Sequence, residues 1–83
     1  MGLQEERAVA RGQLEALKQQ QKKMRMGLEK ACADVRAGLN TVIVPVDDLN
    51  IPVVAEKMDA IQEDWAELAV VNSQIERLEK ELG

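Results

Sequence analysis

The sequence predicts an all-α fold: an antiparallel, coiled-coil-like two-helix hairpin that dimerises into a four-helix bundle. Three observations carry this expectation. Apolar residues recur at the alternating three-four spacing of a heptad in both halves of the chain. Ala, Glu, Lys, Leu, Gln and Arg dominate a composition with one Trp and no Phe or Tyr, so the core must be aliphatic. Finally, 83 residues make at most one small domain, 1–83, and such a chain usually needs a disulfide, a metal or a partner chain. The single Cys32 permits no intrachain disulfide, and the absence of histidine argues against structural zinc. Association with another chain is what remains.

Helix 1 is expected over about residues 3–38. Leu3, Ala10, Leu17, Met24 and Ala31 form one heptad row, and Arg7, Leu14, Gln21, Leu28 and Val35 the other. Arg7 and Gln21 interrupt this seam with polar groups. Gly38 or Asn40 supplies a stop, because either tolerates the left-handed conformation beyond a helix end. Gly12 and Gly27 lie in the helix interior and read as tolerated, each at a cost of up to about 1 kcal/mol relative to Ala.

Helix 2 is expected over about residues 52–82, with its start near Ile51. Asn50 or Asp48 can cap it, and Pro52 suits a first turn, where its missing N–H has no intrahelical partner to lose. Val54, Met58, Ile61, Trp65, Leu68, Asn72, Ile75 and Leu82 keep the heptad spacing, and Glu79 breaks it. Trp65 is expected inside this seam as the main packing anchor. Ala66, Ala69, Val70, Val71 and Leu78 widen the apolar stripe beyond one seam, which argues for a second contact surface. Asn72 and Gln21, polar at seam positions, can fix register or oligomeric state. Two registers of the hairpin satisfy the pattern. One sets Met24 beside Trp65 and Leu28 beside Ile61; the other sets Ala31 beside Trp65 and Leu28 beside Leu68. The first is favoured, because it brings Lys30, Arg25 and Lys22 near Asp59, Asp64 and Glu67.

The linker, about residues 40–51, is unusual for a connection between helices, which is normally short and polar. It holds Val42, Ile43, Val44, Val46, Leu49 and Ile51. Its strand propensity is high, yet Pro45 excludes it from the middle of a sheet. The expectation is that residues 42–46 are covered in the folded assembly, with Ile43, Leu49 and Ile51 capping the hairpin end. The competing reading is an edge that pairs with a copy or a target.

Charge is divided unevenly. Residues 1–40 carry eight Lys/Arg against five Asp/Glu (+3), and residues 41–83 carry three against ten (−7), within a net −4. Two halves that pack on each other explain such asymmetry most simply. Lys18, Lys22, Lys23 and Arg25 form a basic face; Glu56, Asp59, Glu63, Asp64 and Glu67 form an acidic one. The acidic stripe lacks the carbonyl ligands and turn of a calcium loop, so no metal is expected.

Catalysis finds little material. Without histidine, Ser73 and Thr41 have no partnering base, and Cys32 reads as a small hydrophobe, so no enzyme and no cofactor are expected. No segment has the roughly twenty apolar residues of a membrane span, and the start resembles neither a secretory signal nor a myristoylation site. A soluble, cytoplasmic protein is therefore expected. The reading favoured is a non-enzymatic protein–protein interaction module that acts as a homodimer on an unidentified protein partner. A small adaptor, a chaperone-like factor or a phage-type inhibitor of a host protein all fit it. Its interface would draw on Val42, Ile43, Val44, Val46, Trp65, Val70, Val71 and Leu78. The alternative is a nucleic-acid-associated regulator using the basic face of helix 1, disfavoured by the acidic net charge and the lack of a stacking platform.

Overall fold

The computed structural model describes residues 2–83, with the side chain of Leu3, an expected seam residue, outside the description. Helix α1 spans Leu3–Gly38, a single 3-10 turn spans Val46–Asp48, and helix α2 spans Ile51–Leu82. The two helices pack against each other as an antiparallel hairpin, a rod 66 × 17 × 16 Å. Its radius of gyration is 18.9 Å, whereas a compact domain of this length has about 12 Å.

The seam follows the heptads on α1. Ala10, Leu14, Leu17, Gln21, Met24, Leu28, Ala31 and Gly38 are half-buried and Val35 is buried, while Arg7 stays in solvent. On α2 the seam runs differently from the expectation. Val54, Ile61, Leu68, Ile75 and Leu82 form its central row, and Val71 and Leu78 join them. Met58 and Trp65 do not: Trp65 is 66% exposed and is no packing anchor. Rows spaced by seven explain the change. Met58, Trp65 and Asn72 flank the central row on one side, and Lys57, Asp64, Val71 and Leu78 flank it on the other. The apolar flank therefore crosses the seam midway along α2. At Val71 and Leu78 the seam takes in their flank, with Asn72 half-buried beside it, whereas at Met58 and Trp65 neither flank is taken in.

One polar pair sets the register. Gln21 Nε2 donates to Asn72 Oδ1 at 2.6 Å across the seam. The favoured register would put Gln21 level with Leu68, and the other would put it level with Ile75. The observed pairing falls between the two, about one turn from either. A part-buried amide left unpaired costs more than a small shift of interdigitating aliphatic side chains, so the two amides find each other.

The linker end shows the same economy of means. Gly38 ends α1 without any left-handed residue; Leu39 follows at φ −105°, its N–H shared between Val35 and Arg36 carbonyls. Glycine is needed there for another reason. A Cβ on Gly38 would lie 2.9 Å from Cγ2 of buried Val54, so the helices approach closely at this point. Nothing lies within 4 Å of a Cβ built on Gly12 or Gly27, which are tolerated, not required.

The expected strand propensity of the linker is not expressed. Asn40 Oδ1 accepts from Val42 N–H at 3.0 Å, and Val44 N–H returns to the Asn40 carbonyl at 3.2 Å, closing a tight turn. Pro45 then leads extended into the 3-10 turn, which closes through Asp48 N–H to the Pro45 carbonyl at 2.9 Å. Asn50 caps α2, accepting from Val53 N–H at 3.3 Å, and Pro52 sits in the first turn.

Candidate protein-interaction surface

The hairpin has almost no interior. Only Val35, Val54, Val71 and Ile75 are buried among the described residues, and no side chain is fully buried. The chain exposes 6677 Å², against about 4,900 Å² for a compact monomer of its mass.

Exposed apolar side chains gather in two places, besides Val9, Met26, Val53 and Val70 elsewhere on the rod. The first is the linker: Val42, Ile43 and Val46 are 94%, 77% and 66% exposed. The sequence had Ile43, Leu49 and Ile51 closing the hairpin end. Instead Val44 and Leu49 turn partly inward, and Ile43 and Ile51 stay out. The turn begun at Asn40 dictates this, because Val42 and Ile43 fall at its tip.

The second place is one long face of the hairpin. Leu68 lines a shallow groove with Arg25, Leu28, Glu29, Cys32 and Arg36. Leu78 and Gln74 line another groove with Gln13, Ala16 and Leu17. These grooves lie on opposite faces, because on α1 Gln13 and Ala16 flank the seam on the side away from Arg25 and Cys32. On α2 the Leu78 row belongs to the face of the second groove. The opposite flank, Ile51, Met58, Trp65, Asn72 and Glu79, therefore shares the face of Arg25 and Cys32. The matching edge of α1 carries Arg11, Lys18, Arg25, Cys32 and Leu39, again one residue in seven, all exposed. Both edge rows change character along the rod. Near the linker they read Leu39, Cys32, Ile51, Met58 and Trp65; towards the chain ends they read Arg11, Lys18, Asn72 and Glu79.

The other expected interface residues separate. Val70 is 58% exposed on the outward side of α2, whereas Val71 is buried in the seam and Leu78 is half-buried at its edge. Sequence periodicity could not choose between the rows of Val71 and Asn72, since both keep heptad spacing.

The charged faces remain in water. Glu56, Asp59, Glu63, Asp64 and Glu67 are exposed, as are Lys18, Lys22, Lys23 and Arg25. Among the described residues no ion pair joins these acidic and basic faces; Lys80 Nζ meets Glu76 at 3.4 Å along α2 itself. The expected neutralisation of one helix by the other is thus absent as direct contact. The choice of seam row accounts for it: with Val54, Ile61, Leu68 and Ile75 turned to α1, Glu56, Asp59 and Glu63 fall on the outer side of α2.

No group of three or more Cys, Asp or Glu among the described residues is placed to hold a metal ion. No helix is long and apolar enough to cross a membrane. No protein-family model matches the chain, and neither a curated protein nor a solved structure shows significant similarity to it.

Proposed function

We propose that this chain is a non-enzymatic protein-interaction module that works as a homodimeric helical hairpin. A small adaptor, a chaperone-like factor and a phage-type inhibitor of a host protein are the forms this takes. The observation that carries the reading is the exposed apolar stretch of one face, Leu39, Ile51, Met58 and Trp65, on a hairpin with only four buried side chains among the described residues. A rod without an interior gains little from folding alone, and a second apolar face gives it a core. The surface in excess of a compact monomer, about 1,800 Å², is of the order that one subunit buries in an obligate dimer. With that face covered, the acidic side of α2 (Glu56, Asp59, Glu63) remains outward and suits a basic surface on the target protein.

Sedimentation equilibrium tests the proposal directly. The expected mass is twice the 9.2 kDa of the chain. Trp65, the sole tryptophan, should emit at shorter wavelength in the dimer than after dilution below its dissociation constant. A folded monomer at micromolar concentration with unshifted, solvent-like emission would overturn the proposal. The four exposed basic residues Lys18, Lys22, Lys23 and Arg25 keep the nucleic-acid reading testable. A salt-dependent mobility shift with duplex DNA, lost in a variant neutralised at these positions, would replace protein binding with that function.

A further inference from the structure

The two edge rows of the open face also specify how a second copy docks on it. Resting on the homodimer reading above, we infer that the hairpins associate with both linkers at the same end, α1 of each copy lying along α2 of the other. Two isologous arrangements are possible for a hairpin face packed on itself. A two-fold axis along the rod sets the α1 edge against the partner's α2 edge at the same level. An axis across the rod sets α1 on α1 and α2 on α2, running oppositely.

Levels along the rod follow from Gln21 with Asn72 and Gly38 with Val54. In the first arrangement Leu39 comes within a turn of the other copy's Ile51, and Cys32 within a turn of its Met58. Arg25 comes within a turn of its Trp65, near enough for its long side chain to lay a guanidinium on the indole face. Arg11 and Lys18 come within a turn of its Glu79 and Glu76. Apolar meets apolar near the linker, and opposite charges meet towards the chain ends.

The second arrangement inverts every one of these matches when the rods overlap fully. Arg11 falls near Leu39, Lys18 near Cys32, Arg25 on its own counterpart, and Met58 near Glu79. Like charges and a desolvated carboxylate against an aliphatic side chain oppose it. The first arrangement also explains the linker. It brings two copies of Val42, Ile43 and Val46, each exposed in the single chain, to one end of the bundle, where they cover one another. An apolar connection is then a small second core, and not a loose flap.

Distances between spin labels decide the matter. Asp47→Cys and, separately, Glu81→Cys are made in a Cys32→Ser background, labelled, and measured by double electron–electron resonance. Both positions are exposed and outside the proposed contact. The expected separation between copies is short at both sites, about 20–30 Å, the width of two packed helix layers with their labels. A fully overlapped opposite arrangement gives a long distance at both sites, approaching the 66 Å length of the rod. An opposite arrangement overlapped only near the linkers gives a long distance at position 81. Either result overturns the inference while leaving the dimer in place. Absence of any intermolecular dipolar signal, together with a monomeric mass, overturns the homodimer reading itself.

Discussion

Gly38 shows how a residue that looks like a helix stop can be needed for packing. Its backbone is not left-handed, so the freedom of glycine is not what the position uses. What it uses is the missing Cβ, which would press on Cγ2 of Val54, a stiff β-branched side chain with little room to rotate. Gly38→Ala should therefore lower the melting temperature. Overpacking of about 1–3 kcal/mol outweighs a helix-propensity gain of up to about 1 kcal/mol. Gly12→Ala and Gly27→Ala meet empty space and should each raise stability by up to about 1 kcal/mol, as thermal unfolding will show. The Gln21–Asn72 bond is the other residue-scale device. A double-mutant cycle with Gln21→Ala and Asn72→Ala should show coupling of about 0.5–1.5 kcal/mol. Additive losses would mean that the bond does not hold the register.

At the scale of elements, the two helices and most of α1's seam are legible in the heptads, because a three-four spacing leaves a helix one continuous apolar stripe to bury. The seam of α2 is only half legible. Val71 and Asn72 both keep the spacing, and the choice between their rows rests on which flank meets α1. That choice moves Trp65 from the seam to the surface, a change no local signal announces. The linker divides in the same way. Its turn residues Asn40, Pro45 and Asn50 act as their chemistry directs, while the inward roles pass to Val44 and Leu49. Asn50→Ala should cost about 1 kcal/mol of stability through the lost cap of α2. Val44→Ser should lower the stability of the hairpin itself. Ile43→Ser should leave far-ultraviolet circular dichroism intact and weaken self-association, seen as a sedimentation shift towards monomer.

For the whole molecule, the decisive quantity is the ratio of surface to interior. With four buried side chains among the described residues, the hairpin's stability should depend on protein concentration. A tenfold dilution near the dissociation constant should lower the melting temperature, and a concentration-independent transition would argue against an obligate dimer. Trp65→Glu places a charge in the proposed contact and should reduce dimerisation at least tenfold. Because Trp65 is 66% exposed in the single chain, the loss comes from the contact and not from the seam, so helicity should fall only on dilution below the weakened dissociation constant. Loss of helicity in step with dimerisation would show that folding and association are one event.

What the sequence determined by itself is the class of fold and its shortage of interior. Heptads in both halves, an aliphatic composition and a short chain with one cysteine lead to a helical hairpin without disulfide support. These are local or compositional properties, readable residue by residue. The tertiary structure decided the register, the side of the seam on which Trp65 lies, and which valines of the linker turn inward. Each of these depends on where one helix meets the other. A heptad repeats every turn or two, so several registers bury nearly the same apolar area, and periodicity cannot rank them. A single amide pair and a single missing Cβ break that degeneracy, at Gln21 with Asn72 and at Gly38 with Val54.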